Sequence, residues 1–286
     1  MKLIKRLIVS LITFVAVLGV ITIGGYIYVR QKYGIDLFNT LQQLKILQEN
    51  VDEEKVCPHS FTEEDQVDVQ SEVNQSIDNF VKYSEENGYT VDLNNVPAEM
   101  KQIIKLSDKE VAALADMVIR QEMNSTVSIG GQDTTFTLKQ IVFSNIDSNG
   151  NANLNTVISL DLTPFKDKMS GFPFTYLKKY IPDALYISST VKVNKGTNAF
   201  EYSVEHDEFA LNNLKPEQTE DFFHTLDTVI HIGSAEELNK MVGDTIVNSL
   251  IGSEEQTGFA YSLKEYGAND YTFQSDETGN YFVVTM

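Results

Sequence analysis

Hydrophobic positions follow three different rhythms along the chain. Leu7 to Val29 is 23 residues without a charge. At about 1.5 Å of rise per residue, a helix of that length spans a hydrocarbon core of roughly 30 Å with tilt to spare. Ile35 to Leu47 changes to helical periodicity, with Leu37, Leu41, Leu44 and Leu47 on one stripe and Phe38 and Ile46 beside it. Val51 to Ser60 has no apolar rhythm and reads as a linker. Thr62 with Asp65 marks a helix start, and Val73, Ile77, Phe80 and Val81 extend a helical stripe to the turn at Asn87-Gly88. Ser107-Asp108-Lys109-Glu110 is a capping box that opens an amphipathic helix through Val111, Leu114, Ala115, Val118 and Ile119.

The middle of the chain alternates instead. Ser125–Ile129 and Thr134–Phe143 flank Gly130-Gly131 as a hairpin, and Asn149-Gly150 is the next turn. Ala152, Leu154, Thr156, Ile158, Leu160 and Leu162 then alternate with Asn153, Asn155, Val157, Ser159 and Asp161. One face is oily and the other mostly polar, which predicts a sheet covered on one side. Leu185, Ile187, Val191 and Val193 repeat the pattern, followed by Phe200, Tyr202 and Val204, with Pro164–Tyr180 as a crossover between. Pro216 begins a helix that buries Phe222, Phe223, Leu226 and Ile230. Ser234 caps another, which carries Leu238, Val242, Ile246 and Leu250 and stops at Gly252. Phe259–Leu263, Tyr271–Phe273 and Tyr281–Val284 read as closing strands. The fold class this predicts is α+β: an N-terminal transmembrane helix, then a mostly antiparallel, one-side-covered sheet packed on amphipathic helices. The organisation predicted is an anchor with a short cytosolic tail over 1–32, a juxtamembrane helix and linker over 33–60, and an extracytoplasmic α+β domain over 61–286.

Charge sharpens this picture. The first 32 residues hold Lys2, Lys5, Arg6, Arg30 and Lys32 and no acid, leaving 17 bases against 41 acids, a formal charge of −24, for the rest. Such a domain repels nucleic acid and anionic headgroups, and it suits cationic partners or a solvated surface. The basic residues before the span outweigh those after it, which places the N-terminus in the cytosol and the domain outside. Tyr26 and Tyr28 fall where an aromatic belt sits. A cleavable signal would have a shorter apolar core ending in a small-x-small site, so residues 7–29 are read as a retained, single-pass contact with the bilayer. Cys57 is the only cysteine. No internal disulfide is possible, which suits a bacterial exported protein. Glu54-Lys55-Val56 before it is not a lipidation box, so Cys57 is read as structural.

Candidate chemistry does not survive tests of spacing. Asp147-Ser148-Asn149-Gly150-Asn151 has the start of a calcium loop, but Ala152 stands where the loop needs glycine and Ile158 where it needs a bidentate glutamate. Ser189 and Lys192 have Ser-x-x-Lys spacing, yet on a strand they point to opposite faces. His224 and His231 are two helical turns apart, too far to share a metal, and Cys57-Pro58-His59 has no second ligand pair. His206, at the end of a strand, is expected to face water. No catalytic residue, metal ligand or cofactor site is therefore assigned.

Phe172-Pro173-Phe174-Thr175-Tyr176-Leu177-Lys178-Lys179-Tyr180-Ile181-Pro182-Asp183 before a strand, within the order anchor, capped helix, alternating strands and crossover, resembles uncharacterised single-pass exported proteins of Gram-positive bacteria. Over Ser107–Leu211 this pattern is also similar to tubular lipid-binding domains, and that resemblance implies a helix lying in a curved sheet around an apolar ligand. The charge of −24 departs from docking on anionic membranes. The functions expected are, first, a membrane-tethered, non-enzymatic interaction or envelope-assembly protein with a protein partner. Second is a carrier of lipid or another apolar ligand between the oily face Leu154–Leu162 and the helices at Val111–Ile119 and Leu238–Leu250. Third is an enzyme of unrecognised type. A closed, filled core separates the first from the second.

Overall fold

The computed structural model describes residues 5–6, 8–9, 11–13, 31, 36–93, 99–122, 126–129, 132–168, 178–230 and 234–286. Most of the apolar run 7–29 lies outside them. Among the described residues no helix is long and apolar enough to cross a membrane. At the head of that run, Ile8 and Leu11 are buried in the same apolar cluster as Leu44 and Leu47.

Helix α1 (Leu37–Gln48) is capped by Asp36, which accepts the N–H groups of Phe38 and Asn39. It buries Leu44 and Leu47, while Phe38 and Leu41 of the predicted stripe are exposed. A single turn, α2 (Glu53–Val56), follows. Helix α3 (Glu63–Ser76) begins on the expected box: Thr62 N–H donates to Asp65 Oδ2 at 2.6 Å and Asp65 N–H returns to Thr62 Oγ1.

The helical stripe predicted through Val81 stops early. Asn79 takes a left-handed φ of 61°. The Asn74 side chain bonds both the N–H and the C=O of Val81, at 2.9 and 2.8 Å. That clamp turns the chain into a hairpin, β1 (Val81–Ser84) and β2 (Gly88–Val91), with Gly88 at φ +67°. A strand the periodicity does not reveal, β3 (Ile104–Ser107), leads into α4 (Asp108–Glu122), where the Ser107 N–H and hydroxyl both donate to Glu110. Every residue from Val111 to Ile119 is buried. A helix apolar on all sides must be central. Its alanines at 112, 113 and 115 let α3, β2, β3 and the main sheet approach it closely.

That main sheet is an antiparallel meander of β4 (Thr126–Ile129), β5 (Gln132–Ser144), β6 (Ala152–Asp161), β7 (Ala184–Lys195) and β8 (Tyr202–Leu211). The register sets Leu154 opposite Val191, Ile158 opposite Ile187 and Leu160 opposite Leu185. The oily face is thus continuous across strands, as the alternation predicts. A short helix, α5 (Thr163–Lys168), opens the crossover; residues 169–177, which carry the first half of the aromatic segment quoted above, lie outside the described residues.

Helices α6 (Pro216–Ile230) and α7 (Ala235–Leu250) return across the sheet. The run Phe259–Leu263, expected as a strand, is a helical turn, α8 (Phe259–Ser262), because Phe259 and Ala260 are both buried rather than alternating. The last strands, β9 (Asp270–Asp276) and β10 (Gly279–Thr285), pair with β3 in a separate sheet ordered β3-β10-β9. Phe143 of β5 meets Phe273 edge-on at 5.1 Å between centroids, and Phe273 meets Phe282 at 5.4 Å, so aromatic packing joins the two sheets. The fold is α+β, with mostly antiparallel sheets packed on helices.

α7 lies very close to the sheet at Gly243. A Cβ there would come within 2.4 Å of Val191 Cγ1 and 3.2 Å of His206 Cδ2. Two effects oppose each other in Gly243→Ala. Alanine gains about 1 kcal/mol in helix propensity, whereas overpacking costs about 1–3 kcal/mol. The contact is with a β-branched side chain held in a strand, so the clash is expected to win and the urea midpoint to fall. A raised midpoint would show that α7 can lift off the sheet freely.

Candidate functional site

The polar groups that the fold brings together cluster around two β-bulges. In β5 the pairing with β6 slips between Leu138 and Gln140, with Lys139 as the extra residue. A bulge releases backbone groups from the ladder and turns successive side chains aside. On the inner side, the Leu138 N–H donates to Asp116 Oδ1 of α4 at 3.2 Å. Asp116 is 1% exposed and its other oxygen faces the Arg120 guanidinium. Burial raises its pKa, with Arg120 pulling the other way. At the start of the same helix, Asp108 Oδ1 accepts the Phe143 N–H at 3.1 Å. Burial pushes the Asp108 carboxyl up to about 6, against that hydrogen bond and the charge of His59.

On the outer side the bulge holds the N-terminal segment. Lys139 Nζ pairs with Glu53 at 2.8 Å, and the His59 N–H donates to Gln140 Oε1 at 2.8 Å. Higher up, Asn212 Nδ2 donates to Leu47 O at 2.8 Å and Asn213 Nδ2 to Glu49 O. Val51–Ser60, expected as a linker, is therefore a strap fixed to the sheet. Cys57 is buried within it, and burial pushes its thiol up, which favours the unreactive protonated form.

The second bulge lies between β7 and β8, where pairing slips between Ser189 and Val191. Asn239 of α7 donates to Asp207 O at 3.1 Å and accepts from the Ser189 hydroxyl. Farther along α7, His206 Nε2 lies 2.9 Å from Asp244 Oδ1, Lys240 reaches the other Asp244 oxygen, and Tyr202 O–H donates to Asn248. Burial pushes the Tyr202 phenol up to about 12. His206 thus corrects the expectation that it faces water. The slip in register and the absence of a side chain at Gly243 let its ring tuck under α7.

The other candidates fall where their sequence context places them. Ser189 is 2% exposed and spends its proton on Asn239, while Lys192 points out and pairs with Glu205. Their opposite orientation is as predicted, and no nucleophile–base pair forms from them. Asp147 Oδ1 accepts the N–H groups of Asn149 and Asn151 at 2.8 and 3.1 Å, and Gly150 has φ +78°. The carboxylate is committed to its own turn, which lowers its pKa. His59 and His224 are exposed, and His231 lies outside the described residues. Among the described residues no group of three or more histidine, cysteine or acidic side chains is placed to hold a metal. A surface cleft of about 480 Å³ opens between Leu93 and the segment from Thr257 to Tyr266, away from the oily strand face.

The Asp108 environment has a sign that can be measured. Its carboxyl titrates near 6 when folded, against 3.8 for the free group. The folded state therefore binds that proton more tightly, and the penalty of the buried charge is full above pH 6 and gone below about 3.8. Asp108→Asn keeps the acceptor for Phe143 without the charge. Its thermal midpoint is expected to exceed the parent's at pH 7.5 and the gap to close towards pH 4.5. A gap independent of pH would show that the carboxylate is well solvated.

The chain matches no family model, no curated protein and no solved structure.

Proposed function

We propose that this chain is a single-pass, membrane-tethered protein whose acidic domain acts outside the cytosol as a non-catalytic interaction or envelope-assembly module. The observation that carries the proposal is the strap. Residues 47–59 are bonded to β5 and to the Asn212-Asn213 turn at four points. A free linker would let the domain sample many orientations, whereas a bonded one holds it at a set attitude to whatever anchors its N-terminus. Fixed attitude matters for a surface that must meet a partner and little for an enzyme acting on diffusing substrate. The length of the uncharged run Leu7–Val29 and the basic residues that flank it support the anchor, with the N-terminus cytosolic, while the packing of Ile8 and Leu11 with Leu44 and Leu47 counts against a span that begins at Leu7.

Packing of the oily face favours this function over an apolar carrier. Leu154, Ile158 and Leu160 of β6 and Leu185, Ile187 and Val191 of β7 are all buried, in one cluster with Val111, Leu114, Val118, Val242 and Ile246 of the helices. Side chains already occupy the place where a lipid chain would lie.

Two measurements test the proposal. Alkaline phosphatase fused after Met286 is expected to be active in intact bacteria; an inactive fusion, with a cytosolic reporter active in its place, would overturn the topology. Native mass spectrometry of a chain beginning at Asp36 is expected to give the mass of the polypeptide alone, and a retained lipid would transfer the case to the carrier.

A further inference from the structure

The β5 bulge is gripped from both sides within three residues. Leu138 gives its N–H inward to Asp116 on the central helix, while Lys139 and Gln140 hold Glu53 and His59 of the strap outward. The Lys139 ammonium also lies in the field of Asp116, so one charge serves the strap and the clamp together. The ladder to β6 is interrupted here, and Lys139 has no partner in register across it. α4 in turn packs on α3, β2, β3, β10 and α7, so a shift of its Asp116 grip reaches most of the domain.

We propose that the bulge at Leu138–Gln140 transmits the docked or released state of the strap to α4. When Glu53 and His59 leave Lys139 and Gln140, the Leu138–Asp116 clamp loosens; when the clamp loosens, the strap releases more readily. Load on the anchor, or a partner that peels the strap away, is then felt in the core. This coupling goes beyond the interaction function, because it holds whether or not the N-terminus lies in a bilayer.

Cys57 is a built-in reporter. It is the only cysteine, 2% exposed within the strap, and becomes alkylatable when the strap lifts. The experiment measures the rate of Cys57 alkylation by iodoacetamide in the full chain at one pH. Lys139 is left in place because its charge acts on the thiol. Gln140→Ala breaks the strap directly and is expected to raise the rate. Among the described residues no hydrogen bond or ion pair joins Asp116 or Arg120 to the strap, and Asp116→Asn and Arg120→Met are each expected to raise the rate at least fivefold. Binding linkage is reciprocal, so Gln140→Ala is expected to speed hydrogen exchange at the Leu138 amide by a similar factor. Asn239→Ala, at the other bulge, is expected to leave Cys57 within twofold of the parent. The proposal is overturned if Asp116→Asn and Arg120→Met leave the rate within twofold while Gln140→Ala raises it, or if Asn239→Ala raises it as much as they do. Should Asp116→Asn fail to fold, Arg120→Met, whose side chain is half exposed, decides alone.

Discussion

A backbone group released from a sheet into an apolar interior must find another partner, and this constraint organises the domain. Beside each of the two bulges described in the main sheet a helix supplies a polar side chain to a backbone group: Asp116 of α4 to the buried Leu138 N–H, and Asn239 of α7 to the part-buried Asp207 carbonyl. An unsatisfied buried donor or acceptor costs roughly 1–3 kcal/mol. The two contacts therefore fix where the helices sit along the strands as well as how close they come. Apolar packing alone would tolerate sliding; a hydrogen bond to one named amide does not.

The same arrangement explains why an acidic chain buries acids. Burial raises both Asp108 and Asp116 above their ordinary range, which is a cost in the folded state. They are retained where β5 offers them N–H groups, that of Phe143 to Asp108 and that of Leu138 to Asp116. Here α4 packs on β5 and meets two of its N–H groups with carboxylates, so satisfaction of those groups and placement of the central helix are achieved together.

Much of this was legible in the sequence. The strand Ala152–Asp161 and its partner β7 alternate cleanly because one face is buried and the other wet. The boxes at Thr62, Ser107 and Ser234 mark helix starts because capping is local chemistry. The misses share a cause. β3 is four residues long and is a strand only because β10, far along the chain, pairs with it. The hairpin after α3 depends on Asn74 capturing Val81, which competes with a helical spacing that looks sound. The strap contains no apolar rhythm, because its bonds run through Glu53 and the main chain of Leu47, Glu49 and His59. One signal was present: Asp116 interrupts an otherwise apolar stretch from Val111 to Ile119, and a carboxylate in such a place implies a partner.

The three-stranded sheet carries a consequence for synthesis. Its central strand is β10, flanked by β9 and by β3, and Lys105 pairs with Asp276 across 171 residues of chain. Local contacts cannot close this sheet; it waits until the C-terminal segment has left the ribosome. Until then α4 has no β10 to pack against. A chain whose core is completed last cannot finish folding while it is being made.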